Sequence, residues 1–169
     1  VEMAKYQKVK GTQDFFGNNI LKLRYIENIA CNIVRNYGFK EIKTPIFENT
    51  DVFVRLGDDS DIVTKEMYTF TDKGNRSLTL RPEGTAAVVR SFLENKLYVN
   101  MPLTKLYYYG PMFRYERPQA GRYREFNQFG VEVFGKSTFL LDVDVIISAN
   151  KIVKEFGIKN YQLKINTIG

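Results

Sequence analysis

Leu23, Ile26, Ala30, Ile33, Val34 and Tyr37 recur at spacings of three and four, which predicts a helix over 20–37 with one apolar stripe. Asn18 or Asn19 stands where an N-terminal cap belongs, and Gly38 follows the end. The next stretch, 39–45, is short and extended, and Pro45 restricts it to an edge, a bulge or a strand end. Residues 67–80 read as a hairpin in which 67–70 and 77–80 flank the turn Asp72-Lys73-Gly74-Asn75. A second helix is expected to follow Thr85 and run to about Asn95. Two long runs rich in aromatic and β-branched residues, 105–115 and 123–134, predict antiparallel strands joined by a polar loop. A last helix over 142–156 should turn Ile146, Ala149, Ile152, Val153 and Phe156 inward and stop at Gly157, with a further strand from Tyr161 to Ile165. The chain carries no internal repeat and no low-complexity linker.

Alternation along the two long strands sorts side chains by face. On the return strand Asn127, Phe129, Val131 and Val133 share a mostly apolar face that belongs in a core. Phe126, Gln128, Gly130 and Glu132 share the other, an aromatic, an amide, a glycine and a carboxylate, and Arg114 and Glu116 point the same way at the exit of the first strand. Such a surface offers Phe126 to a flat ring, Arg114 and Arg122 to phosphates, and Gln128 and Glu132 to a small polar ligand. Arginine suits phosphate because its planar fork gives two parallel charge-assisted bonds. The plainer reading is a solvated sheet face with cross-strand ion pairs. A second cluster, Leu80-Arg81-Pro82-Glu83-Gly84-Thr85, fixes its backbone at Pro82 and permits close approach at Gly84, while Glu83 and Thr85 present acceptors suited to an ammonium group. Thr85 can equally cap the helix that follows.

The segment from Gly130 to Ser137 fits the phosphate-loop spacing G-x-x-x-x-G-K-[ST]. Its four middle residues, Val131, Glu132, Val133 and Phe134, favour a strand over a loop that curls around phosphate, and Thr138-Phe139 do not read as a helix start.

Composition narrows the chemistry. At 169 residues the chain has the length of one domain and needs no disulfide or metal to hold a core. It contains no His and a single Cys, Cys31, which excludes a His-based triad, a His general base, an imidazole metal ligand, a Cys zinc site and an intramolecular disulfide, and suits a reducing cytoplasm. No metal-ligating residue set is expected. The net charge of +6 suits a polyanionic partner, and four of the ten Arg (Arg114, Arg117, Arg122 and Arg124) fall within 114–124. No apolar run reaches the roughly 18–20 residues of a membrane span, and the N-terminus lacks the apolar core of a signal peptide, so no membrane partner is expected.

Several stretches together carry a resemblance. Gly11-Thr12-Gln13-Asp14, the run from Tyr37 to Glu48, Lys65-Glu66-Met67-Tyr68, the run from Leu80 to Ala86, and the long run from Gly110 to Pro118 and Gly121 to Glu132 resemble, in order, the catalytic domain of histidyl-tRNA synthetases. The resemblance implies an α+β fold, the class II aminoacyl-tRNA synthetase catalytic core, an antiparallel sheet flanked by helices and here a partial domain. Residues 1–169 would be the N-terminal portion of that domain, with motif 1 at about 20–48 and motif 2 at about 105–134. Motif 3, a histidine-specific loop with a further Arg and the anticodon-binding domain have no counterpart in the sequence.

By the same resemblance the parent enzyme is a cytoplasmic histidine–tRNA ligase. It activates L-histidine with ATP and Mg²⁺ to histidyl-adenylate, transfers the aminoacyl group to tRNA(His), and forms a homodimer through motif 1, with Pro45 at the interface. Arg114 is implied as the catalytic residue that clamps the α-phosphate and the attacking carboxylate. Glu116 would accept from the adenine amino group, Arg122 would bind the outer phosphates and Phe126 would stack on adenine. Glu83, Gly84, Thr85, Gln128 and Glu132, with Arg114, are implied for histidine. The reaction suits a chain without His, because a carboxylate attacking phosphorus needs positioning and charge stabilisation more than a general base. Two alternatives are a synthetase-like regulatory subunit of ATP phosphoribosyltransferase, a paralogue that usually lacks the intact Glu83-Gly84-Thr85 and Arg114-to-Arg122 patterns, and a nucleotide-binding protein using 130–137.

Overall fold

The computed structural model describes residues 6–54, 66–100, 102–117 and 119–166. Lys65, Pro118 and Gly169 lie outside the described residues. The framework is a hairpin of β5 (Leu103–Phe113) and β6 (Glu125–Gly135), paired antiparallel in the register Tyr107↔Val131 and Tyr108↔Gly130. The short β1 (Lys40–Glu41) adds to the outer edge of β5. It runs parallel rather than antiparallel, as the roughly 60-residue crossover between β1 and β5 permits. A second three-stranded sheet, in the order β2 (Phe47–Asn49), β4 (Ser77–Leu80), β3 (Tyr68–Thr71), is wholly antiparallel. Pro45 lies in the connection between β1 and β2, in neither strand. The expected β3–β4 hairpin forms, closed by the Asp72 carboxylate accepting the amides of Gly74 and Arg76 at 2.8 and 2.9 Å.

Helices cover both faces of the β5–β6 hairpin. On one face α1 (Asn18–Asn36) and α5 (Phe139–Glu155) enclose Cys31, Val34, Phe39 and Tyr107, against which Phe129, Val131, Val133, Val145 and Ile152 pack. This is the apolar face that strand alternation gives β6. On the other, α3 (Thr85–Glu94) and α4 (Leu97–Asn100) help enclose Val88, Leu106, Tyr108 and Met112, joined by Ile42, Leu97, Phe126 and Phe134. Burying side chains such as Val34 and Val88 from water contributes about 1.5–3 kcal/mol each. A one-turn helix, α2 (Asp51–Val54), follows β2 and buries Phe53.

Several expectations need correction. Neither Asn18 nor Asn19 caps α1: the cap position is Gly17, with no side-chain bond, at a φ of 55° that glycine adopts without strain. Of the apolar stripe, Ala30, Ile33 and Val34 are buried, whereas Ile26 is 44% exposed, because only the C-terminal half of α1 lies against the core. The last helix starts at Phe139, earlier than expected, and its buried line passes through Val145, Ser148 and Ile152, leaving Ala149 exposed. Ser148 is tolerated there because its hydroxyl donates back to the carbonyls of Asp144 and Val145. Residues 161–165 form no strand, since no described strand lies alongside to complete a ladder. The phosphate-loop spacing is occupied by β6 from Gly130 to Gly135, so its amides serve a strand, although a helix does start three residues after Lys136, contrary to expectation.

Candidate active site

Three separate segments converge on the polar face of the hairpin: the turn before α3, the middle of β6, and the β5–β6 loop. Pro82 is fully buried and holds the turn. Beyond it the Glu83 carboxylate accepts the amides of Thr85 (2.5 Å) and Ala86 (2.8 Å), satisfying two of the unpaired N–H groups at the start of α3. Glu83 therefore caps this helix; Thr85, which also suited that role from sequence, turns away. Its hydroxyl donates to Glu132 Oε1 at 2.7 Å. The Gly84 amide donates to Gln128 Oε1 at 3.0 Å. Glu83, Gly84, Thr85, Gln128 and Glu132 thus form one polar cluster; strand alternation put Gln128 and Glu132 on one face, and only the resemblance joined them to residues 83–85.

Burial pushes the Glu132 carboxyl above its ordinary value of 4.5, and the neighbouring charge of Glu83 adds to this, while the Thr85 hydroxyl opposes it. The cluster thus gathers two carboxyl groups, Glu83 and Glu132, around the start of α3. Such a site suits an ammonium group. Its wall is Tyr108, whose ring sits between Gly84 and Gly130: a Cβ on either glycine would approach ring carbons at 2.2 or 2.3 Å. Burial, the dominant cause, pushes the Tyr108 phenol up to about 12, so it is neutral across the physiological range. Tyr108 is the site residue that sequence reasoning missed. The signal was present, because an aromatic directly across a hairpin from a glycine marks a strand position that has surrendered its side chain to a neighbour.

The cationic half of the site lies at the strand ends. Arg114 donates from Nε to the Pro82 carbonyl at 2.8 Å, and its guanidinium lies 5.1 Å from the centroid of Phe126, so the sequence-predicted phosphate ligand and ring platform do meet. Glu116 and Arg122 face each other across the loop at 3.6 Å, and one Glu116 carboxylate oxygen is buried without a hydrogen bond. Arg124 braces this loop: its guanidinium lies 4.2 Å from the Tyr115 ring centroid, its Nε donates to the Glu116 carbonyl, and its amide donates to the Gly11 carbonyl at 2.7 Å. Gly11, with φ at +89°, has no room for a Cβ beside the Arg124 side chain. Pro45 lies outside this cluster. Among the described residues no group of three or more His, Cys, Asp or Glu is placed to hold a metal ion, and no helix is long and apolar enough to cross a membrane. A cavity of about 580 Å³ lies between α3 and the end of β2 and is lined by none of the site residues named above.

Residues 11–169 match the histidyl-tRNA synthetase family model. The chain is 54% identical over 165 residues to a histidine–tRNA ligase of Thermosipho africanus, covering 97% of this chain and 40% of that one. It therefore spans about two-fifths of the length of the curated relatives it matches. Among solved structures, ligand-free histidyl-tRNA synthetase of S. aureus superposes with a TM-score of 0.77 at 48% identity, over 91% of this chain and 35% of that one. A Bacillus halodurans protein described as an ATP phosphoribosyltransferase regulatory subunit/histidyl-tRNA synthetase superposes with a TM-score of 0.80 at 24% identity, over 94% of this chain and 40% of that one, and shares the fold. The fold is the class II synthetase α+β architecture, and the chain belongs to the histidyl-tRNA synthetase family.

Proposed function

We propose that this chain is the part of a histidine–tRNA ligase that binds L-histidine and ATP and forms histidyl-adenylate. The carrying observation is the convergence of a carboxylate-rich, amide-bearing cluster (Glu83, Thr85, Gln128, Glu132) with an arginine, Arg114, fixed on the Pro82 carbonyl at the same strand end. Adenylation forms a bond between the histidine carboxylate and the α-phosphorus and breaks the bond to pyrophosphate. The nucleophile is ionised at neutral pH, so no side chain need remove a proton.

In this reading the ammonium group of histidine sits against Glu83, Thr85 and Glu132, with Gln128 and the Gly84 backbone completing the pocket. Arg114 bridges the attacking carboxylate and the α-phosphate, aligning them and neutralising the charge that gathers on phosphorus. Arg122 meets the outer phosphates, leaving its partner Glu116 to accept from the adenine amino group through the oxygen that now lacks a bond. Phe126 provides the ring platform. Mg²⁺ would enter as the ATP complex and would neutralise charge on the phosphates. Transfer to tRNA(His), homodimerisation through motif 1 at about 20–48 including Pro45, motif 2 at about 105–134 and a cytoplasmic location complete the proposal. The regulatory-subunit alternative shares the fold, but the cluster from Glu83 to Thr85 and the series from Arg114 to Arg122 are both intact, which favours the ligase.

The test is amino-acid-dependent ATP–pyrophosphate exchange by the full-length protein. Exchange supported by L-histidine alone is expected. Exchange driven by another amino acid, or no exchange, would overturn the assignment.

A further inference from the structure

The buried Arg81 takes no part in the site as described, and it is an unusual residue to bury. It is 5% exposed, and among the described residues no carboxylate stands within ion-pair distance of its guanidinium. Its Nε donates to the Pro111 carbonyl at 2.9 Å, and Nη1 to the Thr44 carbonyl at 3.0 Å, the Thr44 hydroxyl at 3.1 Å and the Pro45 carbonyl at 3.4 Å. Taking a cation out of water without a directly paired carboxylate is costly, and burial lowers its pKa, opposed only in part by the charge of Glu48. An apolar side chain would fill the space more cheaply. What the guanidinium does, and an apolar group cannot, is fasten two stretches of main chain at once.

Those stretches lead directly to the reacting groups. Through its own backbone, Arg81 donates to the Ile46 carbonyl and accepts from the Phe113 amide, both at 2.9 Å. The next carbonyl along, that of Pro82, holds Arg114 Nε. Arg114 is thus gripped by consecutive carbonyls, one through the preceding amide and one through its side chain. The guanidinium of Arg81 sets where those carbonyls stand relative to Pro111 on β5 and to the Thr44–Pro45 connection. Gly110 supplies the clearance, since a Cβ there would lie 2.6 Å from Arg81 Nη2.

We propose that Arg81 is a positioning residue that locks Arg114 into its reactive placement and ties that placement to the Thr44–Ile46 segment. The inference rests on the ligase reading above. Two substitutions probe it in the full-length protein. Arg81→Met removes the grip, and Gly110→Ala keeps the charge but pushes the flexible end of the guanidinium aside. Each should lower kcat for histidine-dependent exchange, Arg81→Met by about 10–100-fold, the scale of a misplaced catalytic group. Arg81→Lys, which keeps the charge but reaches fewer carbonyls, should fall between wild type and Arg81→Met.

The decisive readout is a double-mutant cycle with Arg114→Ala. If Arg81 acts through Arg114, Arg81→Met and Gly110→Ala cost little more once Arg114 is gone. A merely structural role would impose the same fold loss in both backgrounds. Equal losses, or near-wild-type exchange in Gly110→Ala, overturn the proposal, and Gly110→Ala carries the test even if Arg81→Met does not fold. Absence of histidine-dependent exchange in wild type would instead overturn the ligase reading and this inference with it.

Discussion

Glu83 caps α3, and that role can be measured without substrate. Its two carboxylate oxygens accept the amides of Thr85 and Ala86. Replacing it by Ala leaves both amides without these bonds at the start of α3 and removes a negative charge from the positive end of the helix. Loss of a cap costs about 0.5–2 kcal/mol, and loss of the charge–dipole attraction about 0.3–1 kcal/mol. The local opening free energy should therefore fall by roughly 1–3 kcal/mol, which makes exchange of those amides ~5–150-fold faster where reclosing outpaces chemical exchange. Glu83→Gln keeps one acceptor oxygen and should lose about half of this on the free-energy scale. Hydrogen–deuterium exchange resolved at Thr85 and Ala86 is the assay, with the Gly84 amide, held independently by Gln128, as internal reference. Unchanged protection at Thr85 and Ala86 in Glu83→Ala would refute the capping role. Faster exchange at all three amides alike would mean that the turn, rather than the cap, had been lost.

Three further outcomes follow from the same geometry. Because the Glu132 carboxyl is raised in the folded state, the folded chain holds a proton that the unfolded chain releases at lower pH. Stability therefore falls as pH rises from the ordinary carboxylate value through the raised one. Glu132→Gln should match wild type in melting temperature near about pH 4 and exceed it at neutral pH, while losing histidine binding; equal melting temperatures at neutral pH would contradict the burial argument. Gly130→Ala drives a methyl group into the Tyr108 ring, which Gly84 hems in from the other side, and overpacking should cost about 1–3 kcal/mol in a denaturant titration; no change would mean that the ring has freedom the packing does not show. Lys136→Ala should leave ATP binding nearly unchanged, whereas its loss would revive a phosphate loop at 130–137.

Much of the fold was legible because the long elements are strongly periodic. Alternation on β6 correctly assigned Phe129, Val131 and Val133 to the core with α1 and α5, and brought Gln128 and Glu132 to the opposite face. The failures share a cause: position in the tertiary structure overrode local pattern. Ile26 continues a helical stripe beyond the end of the core, and Ser148 displaces Ala149 because a serine can satisfy its hydroxyl on its own helix. Residues 161–165 have strand composition without a neighbouring strand among the described residues. In the site, the individual polar residues were readable from spacing, but their partners were not. Nothing local says that Glu83 caps α3, that Thr85 bonds Glu132, or that Tyr108 stands between two glycines 46 residues apart in the chain. Arg81 reads as one more cation until its acceptors, 30 and 37 residues away, are seen to be backbone.

The central claim is that Arg114, held at the Pro82 carbonyl, supplies charge stabilisation at the phosphorus under attack. The most direct measurement is single-turnover histidyl-adenylate formation by wild-type and Arg114→Ala full-length protein, with saturating ATP and L-histidine. A rate at least ~10²-fold lower in the variant, with its fold intact, is the expected result. Adenylate formation at the wild-type rate without this guanidinium would contradict the account.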